Sequence, residues 1–178
     1  MMLQIFTTQL SGKMKMVKDT YEDVFEDCSR ILAQSIISGH TIYLFATGEM
    51  KCVLPQALYG NDRFENVKLV EDANNVPTLK DQDSFLIFAP SSLDESSLKM
   101  ARLVAEQNNS IMAVIGNKGT DQSDKGLEEL VDLTINLQVH SMVPQDDGSR
   151  IGTPVAVLAL YVYHCLHLTI VDILAEYE

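Results

Sequence analysis

The chain has 178 residues, 46% of them apolar and 21% charged, enough to bury one sizeable core, too few for two ordinary domains, and unlike the composition of a disordered or fibrous chain. A formal charge of -12 and a pI near 4.6 repel a polyanion and argue against nucleic acid as a partner, while one phosphate can still be held by backbone N–H groups at a helix start. Cys28, Cys52 and Cys165 are too scattered for a disulfide framework or a Cys-x-x-Cys pair and read as reduced thiols of the cytosol.

The lysines near the N-terminus follow its apolar residues, the wrong order for a secretory signal, so the segment is expected to stay in the mature protein. Val17, Tyr21, Val24, Phe25, Cys28, Ile31, Leu32 and Ile36 recur at three- and four-residue steps. They predict one long amphipathic helix from Lys13 to Ser38, extended upstream by Leu3, Phe6 and Leu10 with Gly12 as the weak point. Gly39 stands where a C-terminal cap belongs, and Thr41 to Ala46 is an apolar run suited to a fully buried strand. Further strands are expected at Val67 to Val70, Ser84 to Ala89, Ile111 to Ile115 and Leu133 to Leu137. The polar segment from Glu71 to Asp83, with Pro77, predicts little beyond a turn.

Leu98, Ala101, Val104 and Ala105 mark an amphipathic helix, and Ser92-Leu93-Asp94-Glu95 fits a capping box at its start. Thr153 as N-cap and Pro154 as first helical residue open a last helix that runs to about Glu176. The stretch from Ile151 to Val171 is nearly free of charge and long enough to cross a bilayer. Pro154, His164, His167 and the acidic end Asp172, Glu176 and Glu178 favour instead a helix buried between a sheet and a partner, with no membrane involved. Alternating strands and helices predict a three-layer α/β fold, a five-stranded parallel sheet flanked by helices, as one domain over residues 1–178. The apolar excess on the two long helices predicts a homodimer or homotetramer.

In an open parallel sheet, ligands bind beyond the carboxyl ends of the strands, where strand order reverses. The search narrows to Thr47-Gly48-Glu49-Met50, Glu71-Asp72, Pro90-Ser91-Ser92, Gly116-Asn117-Lys118 and Gln138 to Gly152. Ser91 and Ser92 combine hydroxyls with the amides of a helix start and suit an anion; the competing reading makes them helix caps only. Asp94, one residue inside that helix, is expected to turn outward to solvent. Arg150 is a planar donor for a phosphate or carboxylate, or else pairs with Asp146 or Asp147.

The loops resemble those of the sugar isomerase (SIS) domain family. Such domains hold phosphosugars with a Gly-x-Gly-x-Ser loop after the first strand and a Ser-x-Ser-Gly-x-Thr loop after the third. Here the two read Ala46-Thr47-Gly48-Glu49-Met50 and Ala89-Pro90-Ser91-Ser92-Leu93-Asp94, with Gly48 and Ser91 matching in place. Ser38-Gly39-His40 before the first strand, Ile5-Phe6-Thr7-Thr8-Gln9-Leu10 near the start, and Asp147-Gly148-Ser149-Arg150 through Leu160-Tyr161-Val162-Tyr163-His164 near the end are most similar to the short bacterial phosphoheptose isomerase-like SIS proteins. The resemblance implies a flavodoxin-like SIS fold in the cytoplasm, a phosphosugar or similar small anionic ligand and no cofactor; Thr47, Gly48, Ser91, Ser92 and Arg150 are the candidate ligand-binding residues.

The chain also departs from that family. Met50 replaces a phosphate-binding serine, and Asp94 brings a carboxylate where a hydroxyl would meet phosphate. The positions that carry a metal-binding His and a catalytic Glu in phosphoheptose isomerases fall near Gln56 and Gly60, so no metal is expected, and Pro55 interrupts that helix. An aldose-ketose isomerase needs a base between adjacent carbons and usually a second group to open the ring. Glu49, with Glu71 behind it, is the carboxylate candidate, and His164 holds a place like that of the isomerases' helix histidine; the competing reading has His164 packed against a neighbour and Glu49 solvated. The favoured function is a sensor, or a degenerate isomerase site, that binds a phosphosugar or related carbohydrate derivative. A metal-free aldose-ketose isomerase is the alternative, and a nucleotide-binding protein with Glu71 on a ribose is the weakest, since the glycine fingerprint is missing.

Overall fold

A computed structural model of the chain describes residues 1–117 and 126–177. Five strands, β1 (Ile42–Ala46), β2 (Val67–Leu69), β3 (Ser84–Ser91), β4 (Ser110–Asn117) and β5 (Leu133–Asn136), pair in parallel in the order β2-β1-β3-β4-β5. The predicted five-stranded parallel sheet is therefore present, each strand within two residues of its expected bounds.

Strand alternation explains the two cores. Ile42, Leu44 and Ala46 of β1, Leu86 and Phe88 of β3, and Met112 and Val114 of β4 face one side, where α2 (Glu22–Ile37), α3 (Val53–Tyr59) and α5 (Val155–Ala175) cover them. Tyr43, Phe45, Phe85, Ile87, Ala89, Ile111, Ala113 and Ile115 face the other side, covered by α4 (Glu95–Ala105) and by Val70, Ala73 and Leu127. Both faces are buried, which is why the central strands read as continuous apolar runs rather than alternating ones.

The single N-terminal helix expected from the periodicity is two helices. α1 (Met2–Thr20) and α2 meet at Tyr21, whose φ of -113° and ψ of 21° leave the helical region. Tyr21 N–H still donates to Val17 and Phe25 N–H to the Tyr21 carbonyl, so the hydrogen-bond ladder persists while the axis changes. The break falls at Tyr21 and not at Gly12, which lies inside α1. After α2, Gly39 at φ +69° lets its N–H reach the Ile36 carbonyl and that of His40 reach Ser35, a two-bond C-terminal cap. Buried Asp83 then ties the sheet's lower end together by accepting from Thr41 N–H and Lys80 N–H, both at 2.8 Å.

Pro55 does not interrupt a helix; it lies in the first turn of α3, where the missing N–H has no intrahelical partner to lose. The last helix starts one residue later than Pro154, which is its N-cap, and Thr153 shares a hydrogen bond with Ser141 at 2.7 Å instead of capping it. The stretch before it, expected as a loop, contains a hairpin of β6 (Val143–Pro144) and β7 (Arg150–Ile151). Residues 71–83 contain no helix or strand, as expected. α5 is long and apolar enough to cross a membrane by length and composition alone, and it packs against α2 with Leu158, Val162, Tyr163 and Leu166 buried. Val157, Leu168 and Val171 stay exposed on its outer side, all within about 60° of arc at 100° per residue.

Candidate functional site

Strand order reverses between β1 and β3, so their carboxyl ends diverge and leave a crevice. Thr47 leaves β1 still extended, at φ -124° and ψ 163°, and its N–H donates to the Phe88 carbonyl of β3. Gly48 turns the chain with φ +52° into a 3-10 turn, Gly48–Cys52. A Cβ on Gly48 would stand 3.1 Å from Cγ of Pro90, so both its conformation and its contact favour glycine. Beyond these residues lies a cavity of about 280 Å³ lined by Thr47, Gly48, Lys51, Glu71, Asp72 and Asp94.

Asp94 is the N-cap of α4, correcting both the expected capping box at Ser92 and the outward-turned carboxylate. Its Oδ2 accepts from Ser97 N–H at 2.9 Å, from Ser97 Oγ at 2.7 Å and from Thr47 Oγ1 at 3.0 Å. The signal was in the sequence, because Asp caps a helix as well as Ser does. Ser91 ends β3, and its Oγ accepts from Leu93 N–H at 3.2 Å. Ser92 is buried, with its N–H on the Asn117 carbonyl and its carbonyl on Leu127 N–H. Neither serine opens the helix or lines the cavity.

Glu49 is exposed in the turn after β1. His164 stands nine residues beyond the start of α5, ~14 Å along the axis, with Nδ1 3.7 Å from Asp62 and its ring edge-on to Tyr163. The first turn of α5 is the part near the switch point, where the Cys52 thiol donates to the Ala156 carbonyl at 3.5 Å. One chain therefore does not bring Glu49 and His164 together. Arg150 donates from Nε to the Ser141 carbonyl and from Nη2 to the Met142 carbonyl, both at 2.8 Å, pairing with neither Asp146 nor Asp147. It braces its own hairpin and does not line the cavity. Asp147 accepts instead from Ser149, which holds its carboxyl below the usual range. Lys118 lies outside the described residues.

Met50 is fully buried in the core, so the position that resembles a serine site presents no hydroxyl. Gln56 folds over Gly60, whose N–H donates to its carbonyl. Among the described residues no three His, Cys, Asp or Glu side chains gather as a metal site. Burial pushes the thiols of Cys52 and Cys165 up and that of Cys28 to about 12, which disfavours their thiolate forms at neutral pH. A larger cavity, about 450 Å³, is lined by Arg30, Gln34, Asp83, Ser84, Asn108 and Asn109. It sits at the amino ends of β3 and β4, whereas ligands of open parallel sheets bind beyond the carboxyl ends, where the smaller cavity lies. Of the residues lining that cavity, Thr47, Gly48 and Glu71 are expected from the sequence, whereas Lys51 and Ser96 carry no motif.

The profile of a family described as a domain of unknown function, DUF2529, matches residues 2–174. The uncharacterized protein YwjG of Bacillus subtilis (strain 168) is 34% identical over 177 residues, 99% of each chain. Three solved structures share the fold. The hypothetical protein MJ1247 of Methanococcus jannaschii, whose structure was taken to infer a 3-hexulose-6-phosphate isomerase, matches at 18% identity and TM-score 0.67, over 98% of this chain and 90% of its own. Vibrio vulnificus NanR complexed with ManNAc-6P matches at 12% and 0.69, over 99% and 64%. A phosphoheptose isomerase from Francisella tularensis matches at 13% and 0.58, over 97% and 99%. At these identities the likeness shows the fold, which is the SIS fold expected from the loops.

Proposed function

The chain belongs to the DUF2529 family, and from that premise we propose that it binds a phosphosugar or related carbohydrate derivative without isomerising it, as a sensor or a degenerate isomerase site. The observation that carries this reading is the cavity at the β1/β3 switch point, with Thr47, Gly48 and Asp94 on one wall and Glu71 and Asp72 on the other. Hydroxyl and carboxylate groups at close spacing suit the alternating donors and acceptors of a sugar. The same fold carries ManNAc-6P in NanR and phosphoheptose isomerase chemistry in the Francisella protein, which supports a carbohydrate over a nucleotide. Buried Met50, the Gln56 and Gly60 pair, and the separation of Glu49 from His164 speak against turnover.

The working unit in this reading is a cytoplasmic homodimer or homotetramer, supported by the exposed apolar stripe of Val157, Leu168 and Val171 on α5 and by Met2 and Leu3 on α1. A metal-free isomerase is the second reading. It is favoured by His164, half-exposed in line with that stripe, where a second copy would cover it.

Thermal melting against a panel of sugar phosphates, free and amino sugars, and nucleotides tests the reading. A specific carbohydrate at 100 times its Kd adds about 2.7 kcal/mol, or roughly 5 to 10 °C for a chain of this size. No shift with any carbohydrate, or a shift only with nucleotides, overturns it; product formed from a hit moves the conclusion to the isomerase. Sedimentation at micromolar concentration is expected to give a dimer or tetramer, and a monomer removes the assembly from the proposal.

A further inference from the structure

We infer that Asp94 is the specificity-determining residue of the switch-point cavity: its own carboxylate fills the start of α4, so a ligand meets an acceptor there and binds that end through hydroxyl or ammonium groups, with any phosphate held away from it. This deepens the carbohydrate-binding reading and rests on it.

A helix start attracts an anion because its first amides are unpaired and the dipole favours negative charge. Here part of that attraction is already met within the chain. Of the six amides from Ser92 to Ser97, that of Ser92 is on the Asn117 carbonyl, that of Leu93 on Ser91 Oγ, that of Asp94 on the Ser91 carbonyl and that of Ser97 on Asp94 Oδ2. The hydroxyls of Thr47 and Ser97 also point to Oδ2. Thr47 reaches it from 47 residues away in the chain, so the carboxylate is fastened by two separate segments. The place of a bound anion is taken by a covalently attached one.

A phosphate entering the same space would face a like charge with four of those six amides committed, at a cost that Lys51, exposed on the rim and the one cation among the described lining residues, does not offset. Asp94 Oδ1, by contrast, has no hydrogen bond among the described residues. Asp94 lines the cavity, and the partners that suit a spare carboxylate oxygen are a sugar hydroxyl or an ammonium.

The experiment compares the parent with Asp94→Asn and Asp94→Ser, both good N-caps that keep α4 while removing the charge. Calorimetry at pH 7 and low salt measures inorganic phosphate, and then a matched pair of the same sugar with and without its phosphate. Both variants are expected to bind phosphate at least about tenfold more tightly than the parent, and to weaken for the unphosphorylated sugar by a similar factor. Equal phosphate affinity in all three proteins overturns the inference, as does a parent that prefers the phosphorylated sugar as strongly as the variants do. If no sugar binds any of the three, the carbohydrate reading fails, while the phosphate comparison still decides the role of Asp94.

Discussion

Tyr163→Ala is expected to cost about 3–5 kcal/mol of stability, and Tyr163→Phe only about 1. Tyr163 is fully buried on the inner side of α5, and its ring stacks on Phe64 with centroids 4.7 Å apart at 26°. Its hydroxyl donates to the Asp62 carbonyl at 3.0 Å, and burial pushes the phenol up to about 12. The side chain thus pins residues 62–64, which lead into edge strand β2, to the helix that covers that face of the sheet. Alanine removes the ring and leaves a void beside Phe64, whereas phenylalanine removes a single hydrogen bond. Urea midpoints with a shared m-value check the pair. Should Phe cost as much as Ala, the hydroxyl and not the packing holds this strap.

The sheet was legible in the sequence because its strands are buried on both faces. Runs such as Thr41 to Ala46 and Ser84 to Ala89 have no reason to be uniformly apolar on a surface, and polar or glycine residues bound them. What failed was local punctuation. Tyr21 gives no breaker signal, because the break keeps its backbone hydrogen bonds and shows only in the dihedrals of that one residue. Pro55 reads as a breaker until the helix start is placed two residues before it.

The candidate site was half legible for a similar reason. Topology alone selects the loops after β1 and β3, so Thr47 and Gly48 were found. The direction of the Asp94 side chain depends on where α4 begins, and a shift of the cap from Ser92 to Asp94 turns an outward carboxylate into one locked against Thr47. Arg150 misled because a polar glycine-bearing stretch reads as a loop, whereas β6 and β7 pair and turn two of its donors onto the carbonyls of Ser141 and Met142 just before β6.

Gly116→Ala is expected to be the most disruptive single-methyl change in the sheet and to reach the site as well. Gly116 lies in β4 between Ile115, paired with Ala89, and Asn117, paired with Ser91, so it faces Pro90 across the ladder. A Cβ there would come 2.7 Å from the Pro90 carbonyl oxygen and 3.3 Å from its carbonyl carbon and Cα. These are backbone atoms of a central strand and cannot rotate away, so β3 and β4 must part or Pro90 must move, at a cost of about 1–3 kcal/mol or more. Pro90 in turn stands against Gly48, and a displaced Pro90 pushes on the turn that forms one wall of the cavity. Gly39→Ala is the control, because Gly39 has φ +69° with nothing within 4 Å of an added Cβ, so that change meets only the left-handed backbone penalty of about 1 kcal/mol. Urea denaturation should place Gly116→Ala clearly below Gly39→Ala, and the carbohydrate shift found in the panel should weaken in the first and persist in the second. Equal stability losses would mean that Pro90 yields freely, and with it the rigid link from β4 to the switch point would be lost.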